Sequence, residues 1–109
     1  MRKAALAAAC AALVLLTVNV AFGADAEAGK KVFAAKCASC HNADGAGKDS
    51  VAKMMKVEMK ALGSKEVQAK SDAELAKIIT DGTGKMKPVS GVDAKAAGDV
   101  VLFLRTLKK

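Results

Sequence analysis

The amino-acid sequence predicts an all-α fold for residues 24–109. Apolar residues recur at helical spacing in several segments, whereas no stretch alternates with the period of two that a half-buried strand requires. β-Branched residues are scattered singly and do not form runs of strand length. A chain of 109 residues has room for one domain, and no Pro-rich or Gly/Ser-rich linker divides this region. We therefore expect a single helical domain.

The first 23 residues have the pattern of an export signal. Arg2 and Lys3 precede an apolar run, and Ala21-Phe22-Gly23 places small residues at the two positions that a signal peptidase reads. We expect cleavage after Gly23, which leaves residues 1–23 as signal peptide and residues 24–109 as a periplasmic domain. The alternative is an uncleaved membrane anchor, because about 20 mostly apolar residues are enough to span a bilayer.

The first predicted helix covers residues 25–36. Its acidic residues come early and its lysines late, as the helix dipole favours. One face carries Ala26, Gly29, Val32 and Phe33. Residues 42–49 are turn formers without an apolar period, which predicts a loop. Residues 51–62 are apolar but irregular in period, and we expect part helix and part loop there.

Two further helices are predicted towards the C-terminus. Ser71 and Glu74 form a capping-box pattern at the start of a helix over residues 72–80, which Gly82 ends. Asp93 can cap a final helix. The apolar stripe of that helix comprises Ala96, Val100, Phe103, Leu104 and Leu107.

The predicted core lacks large side chains. Phe33 and Phe103 are the only aromatic residues after residue 23. A domain of this size buries only about 60% of its unfolded surface, so its own side chains make a thin core. A large apolar group enclosed by the helices would complete it.

The strongest chemical signal is Cys37-Ala38-Ser39-Cys40-His41. A disulfide between cysteines three residues apart closes almost no loop and adds little stability. Each thiol can instead add across one vinyl group of haem to form a thioether, and His41 then lies under the iron as an axial ligand. The motif predicts one covalently attached haem c, which would also fill the core.

Three other interpretations of this motif are open. A zinc site needs four ligands, and residues 24–109 contain no other Cys or His. A thioredoxin-like thiol oxidoreductase can share the C-x-x-C-H pattern, but it needs a strand-to-helix turn, and no strand is predicted. A chance occurrence is the third alternative.

Over nearly all of residues 25–107 the chain resembles the monohaem class I cytochromes c, particularly small bacterial ones. The resemblance is carried by residues 29–33 with 37–41, by residues 71–84 leading to Met86 and Pro88, and by residues 100–107. It implies a small cytochrome c fold, in which three main helices enclose one covalent haem. It also implies that the N- and C-terminal helices cross where Gly29, Phe33 and Phe103 meet.

The resemblance further implies that Met86 is the second iron ligand. Relatives commonly have Pro directly after this Met, whereas here Lys87 intervenes. Three other methionines compete for the role of iron ligand, namely Met54, Met55 and Met59. We interpret them as flexible side chains that fill the core against the haem face. Many relatives orient the axial His through a nearby Pro carbonyl. The chain has one proline, Pro88, so another acceptor for the Nδ1 proton of His41 is expected.

Ligation by both His41 and Met86 leaves no open position on the iron, which implies an electron carrier and not an enzyme. The implied partners are a membrane quinol-oxidising complex, a terminal oxidase or a periplasmic reductase.

Residues 24–109 carry 16 basic and 11 acidic residues, a formal charge of +5. The dispersed lysines favour solubility and mild attraction to acidic proteins, and the absence of Tyr and Trp argues against nucleic-acid binding. We expect a monomer.

Two other functions stay open at this point. Without a Met86 ligand, a five-coordinate haem would suit a gas sensor or a peroxidase. Without haem, the cysteine pair would suit a thiol-disulfide oxidoreductase.

Overall fold

The computed structural model describes residues 24–109, and every regular element in this range is helical. The helices are Ala26–Lys36 (α1), Ala38–His41 (α2), Asp49–Met55 (α3), Lys65–Gln68 (α4), Asp72–Asp81 (α5) and Ala94–Arg105 (α6). The all-α prediction is therefore confirmed. None of these helices is long and apolar enough to cross a membrane. The predicted signal peptide lies outside the described residues.

The caps at Ser71 and Asp93 follow the sequence prediction, whereas Asp25, expected as the first residue of its helix, caps α1 instead. The carboxylates of Asp25 and Asp93 accept hydrogen bonds from the first turns of α1 and α6. The Ser71 hydroxyl accepts from the Glu74 amide at 3.1 Å. The second half of the expected capping box differs, because the Glu74 carboxylate accepts from the Ser71 hydroxyl and not from its amide. α5 ends at Gly82, whose φ of 80° favours glycine.

The centre of the fold is the crossing of α1 and α6. Gly29 and Phe33 are buried on α1, and the rings of Phe33 and Phe103 lie 5.2 Å apart between centroids with a tilt of 52°. A tilted arrangement at this distance is favourable for two aromatic rings. The expected crossing of the N- and C-terminal helices is confirmed.

The buried face of α6 is wider than the stripe that the sequence predicts. Val100, Phe103 and Leu104 are buried as expected, and Ala97 and Val101 are buried as well. The reason is that α6 packs against α1 and also against α5, so it contributes two adjoining faces to the core. From α5 this core receives Leu75 and Ile79.

The segment between α3 and α5 contains one helix that the sequence analysis did not predict. α3 ends at Lys56 in the left-handed region (φ 54°), after which the chain is irregular, as expected for residues 51–62. The four-residue α4 then begins after Ser64. It is too short to show a helical period in the sequence. At its end, the side-chain nitrogen Nε2 of Gln68 donates to the carbonyls of Leu62 and Leu104 at 2.9 Å, which connects this segment to α6.

Candidate functional site

The cysteine motif forms one helical turn that directly continues α1. The Cys37 amide donates to the Phe33 carbonyl at 2.9 Å, and the His41 amide donates to the Cys37 carbonyl at 3.0 Å. Cys37 is buried, Cys40 is exposed and His41 is half-buried, and both thiols are free. A single turn therefore presents two thiols and an imidazole from one rigid piece of backbone.

These three side chains line a cavity of about 740 Å³, and Met86 lines the same cavity. Most of its remaining walls are apolar. They come from α4, α5, residues 55–62 and residues 83–90, and include Val57, Leu62, Val67, Leu75, Ile78 and Val89. All four residues that the sequence analysis assigned to the site are thus brought together.

The His41 imidazole is held in its neutral form. Burial lowers its pKa, because a charged imidazolium loses solvation in the protein interior. Neutral imidazole is the form that binds a metal. The Nδ1 atom is buried and has no hydrogen-bond partner among the described residues, so the carbonyl acceptor expected for its proton is not found there.

The Cys37 thiol is also held in its neutral form. Burial raises its pKa, because the thiolate would lose solvation. Catalytic thiol oxidoreductases have the opposite property, since their attacking cysteine has a lowered pKa. The surroundings of Cys37 therefore do not suit a thiolate nucleophile.

A tight turn determines the position of Met86. Thr83 and Met86 exchange two backbone hydrogen bonds of 2.9 Å each. Gly82, at φ 80°, precedes the turn, and a Cβ there would lie 2.6 Å from the Met86 carbonyl oxygen. Although Lys87 separates Met86 from Pro88, Met86 still lines the cavity.

The three competing methionines differ in their surroundings. Met55 and Met59 line the cavity, as expected of residues that pack against a bound group. Met54 is 75% exposed, so its interpretation as core filler is wrong. α3 has only two turns, and Met54 and Met55, as adjacent residues of a helix, point in different directions.

The rim of the cavity is strongly basic. Five lysines border it, against the single acidic residue Glu58: Lys36, Lys60, Lys70, Lys85 and Lys87. The Lys85 ammonium donates to the Met55 carbonyl at 2.7 Å and so connects two walls of the cavity. These lysines come from four separate parts of the sequence and look dispersed there, and only the fold brings them together.

The donor atoms and the walls fit haem c. Two thiols on one turn match its two vinyl groups, while an imidazole and a thioether match the axial ligands of its iron. The apolar lining suits a porphyrin. Within residues 24–109 there is no group of three or more His, Cys, Asp or Glu side chains arranged to hold a bare metal ion.

Comparisons with known proteins agree with this fit. The family model described as cytochrome c oxidase, cbb3-type, subunit III matches residues 24–104. Among solved structures, the KustC0563 c-type cytochrome is similar with a TM-score of 0.64 and 26% identity, over 74% of this chain and 98% of that chain. No curated protein matches the chain. The chain belongs to the family of the cbb3-type cytochrome c oxidase subunit III and is a c-type cytochrome, a class that carries covalently bound haem c.

Proposed function

We propose that this chain is an exported, monohaem electron carrier with His41 and Met86 as the two axial ligands. The observation that carries the proposal is that Cys37, Cys40, His41 and Met86 line one apolar cavity. When bound, haem c supplies a one-electron couple between Fe(III) and Fe(II). With His41 and Met86 both holding the iron, no position would be left for a substrate, which supports a carrier and not an enzyme.

The residues of the chain set the properties of this couple. Met86 offers a neutral thioether, which favours the reduced state relative to a second imidazole. The apolar side chains of α5 and of residues 55–62 line the cavity and would limit the access of water to the bound group. A dry environment disfavours the extra charge of the oxidised state, and this also favours reduction.

The basic rim indicates the kind of redox partner. Five lysines against one glutamate around the cavity mouth favour docking to an acidic protein surface. A terminal oxidase, a membrane quinol-oxidising complex and a periplasmic reductase are the classes of partner proposed. The family model is described as an oxidase subunit, which favours the terminal oxidase among them.

An absorption spectrum tests the proposal. The protein is exported in a host with haem-attachment machinery. One portion is extracted with acidified acetone to test whether the haem is covalently bound. A second, native portion is examined in both oxidation states with and without carbon monoxide. We expect haem that resists extraction, and a reduced protein that does not bind carbon monoxide. Ready binding of carbon monoxide would instead support a five-coordinate gas sensor or peroxidase.

A further inference from the structure

A buried carboxylate that the haem site does not use lies at the crossing of α1 and α6. Asp99 is 4% exposed. One of its oxygens accepts from the Asp25 amide at 2.8 Å, and the other accepts from the Lys95 ammonium at 3.1 Å. Both bonds hold the pKa of Asp99 below its ordinary value, and the bond from the Asp25 amide contributes more than the bond from Lys95. Asp99 is therefore a buried negative charge.

The beginning of the domain lies directly against this charge. Consecutive residues advance by at most about 3.6 Å, so the nitrogen of Ala24 lies within about 6.4 Å of the Asp99 oxygen that binds the Asp25 amide. Ala24 also lies on α6, because its Cβ is 4.0 Å from the position that a Cβ on Gly98 would take. Ala24 thus lies on the surface of α6.

We propose that the bond between Gly23 and Ala24 is hydrolysed and that the new α-ammonium group of Ala24 pairs with the Asp99 carboxylate. In the uncut chain the Ala24 nitrogen is a neutral amide. Hydrolysis adds water across the bond, the Gly23 carbonyl becomes a carboxylate, and the Ala24 nitrogen becomes a cation. The cut therefore adds a positive charge next to a buried negative one, which stabilises the domain. This inference rests on the proposed export.

The structure also distinguishes this cut from a second one. Ala24-Asp25-Ala26 has small residues at the same two recognition positions. A cut after Ala26 would remove the Asp25 amide that binds Asp99. It would also remove the Asp25 carboxylate, which accepts from the Glu27 amide at 2.9 Å and caps α1. Only the cut before Ala24 keeps both interactions.

The first test is the N-terminal sequence of the exported haem protein, read by mass spectrometry. We expect a chain that begins at Ala24. A chain that begins at Glu27, or one that keeps the leader, would overturn the proposal.

The second test measures the coupling between the new terminus and Asp99. Transamination with pyridoxal phosphate converts the α-amino group into a neutral ketone. We expect this to lower the Tm of the holoprotein by roughly 2 to 6 °C, and to have no effect on the Tm of Asp99→Asn. Glu27→Gln, which removes an exposed carboxylate from the same region, should keep the full effect. Equal losses in wild type and Asp99→Asn would refute the pairing.

A third measurement needs no variant and applies even if Asp99→Asn does not fold. The pKa of the unmodified α-amino group is determined from the pH dependence of the ¹³C NMR shifts of Ala24. The charged groups around it are the cap residue Asp25, Glu27 in the first turn of α1, and Lys95 and Asp99 on α6. We expect a pKa above the usual range of about 7.7 to 8.0; a value within or below that range contradicts the pairing. None of these readouts depends on the iron ligands, so they stand or fall separately from the electron-carrier proposal.

Discussion

The backbone of Gly29 lies so close to that of Asp99 that a Cβ on Gly29 would be 1.9 Å from the Asp99 carbonyl oxygen. This approach sets the distance between α1 and α6. It also allows Phe33 and Phe103 to pack together one turn further along.

Gly29→Ala should therefore destabilise the protein, because the obstacle is backbone and cannot rotate away. We expect a loss of about 2 to 4 kcal/mol in the free energy of unfolding, measured by denaturant titration of the holoprotein. Gly98→Ala is the matched control, since it places a methyl group in the same crossing with ordinary contact at 4.0 Å. The control should be neutral or stabilising, as for other Gly-to-Ala changes within helices. Equal effects of the two changes would contradict this view of the crossing.

Cys37→Ala combined with Cys40→Ala should abolish covalent haem, because each thiol holds one vinyl group. The Cys40→Ala variant alone should weaken retention. Both are measured by haem staining after denaturing electrophoresis, with Ser39→Ala, an exposed residue between the cysteines, as the control. Full staining in the double variant would refute the attachment.

Met86→Ala should remove the far-red charge-transfer band of the ferric protein, lower the reduction potential and open the iron to carbon monoxide. Met55→Ala and Met59→Ala should keep the band, although both side chains line the cavity. Met54→Ala is the control for an exposed methionine. If Met55→Ala or Met59→Ala loses the band and Met86→Ala keeps it, the ligand assignment is wrong and the cytochrome assignment stands.

The haem-free chain should be largely unfolded, because the cofactor fills a cavity of about 740 Å³ in a domain with only two aromatic side chains. Circular dichroism of the Cys37→Ala/Cys40→Ala variant, purified without haem, measures the remaining helix. A near-native spectrum with a cooperative melting transition would show that the polypeptide alone forms the core.

The lysine rim should attract anionic redox reagents. We expect Lys70→Gln/Lys87→Gln to slow reduction by hexacyanoferrate(II) by a factor on the order of 2 to 5 at low salt, with the difference disappearing as ionic strength rises. Lys30→Gln/Lys31→Gln removes the same charge from α1, away from the cavity, and should have a smaller effect. Stopped-flow absorbance gives both rates. Equal effects would mean that net charge, and not the rim, controls the encounter.

The sequence by itself determined the features that depend on neighbours along the chain. The caps at Ser71 and Asp93 each involve residues three positions apart, so their patterns can be recognised in the sequence. The C-x-x-C-H turn is local for the same reason. The pairing of Gly29 and Phe33 with the C-terminal helix was predicted through the resemblance to a known family, and not through any local rule.

Only the tertiary structure decided the features that depend on which elements meet. The burial of Ala97 and Val101 follows from α5 packing beside α1 on α6, and this second partner leaves no periodic signal of its own. Met54 and Met55 are adjacent in an apolar segment, yet Met54 is exposed and Met55 lines the cavity, a difference that no apolar pattern in the sequence marks. The lysines of the rim come from four separate parts of the chain. Their positive charges therefore form one electrostatic field only when the walls of the cavity come together in the fold.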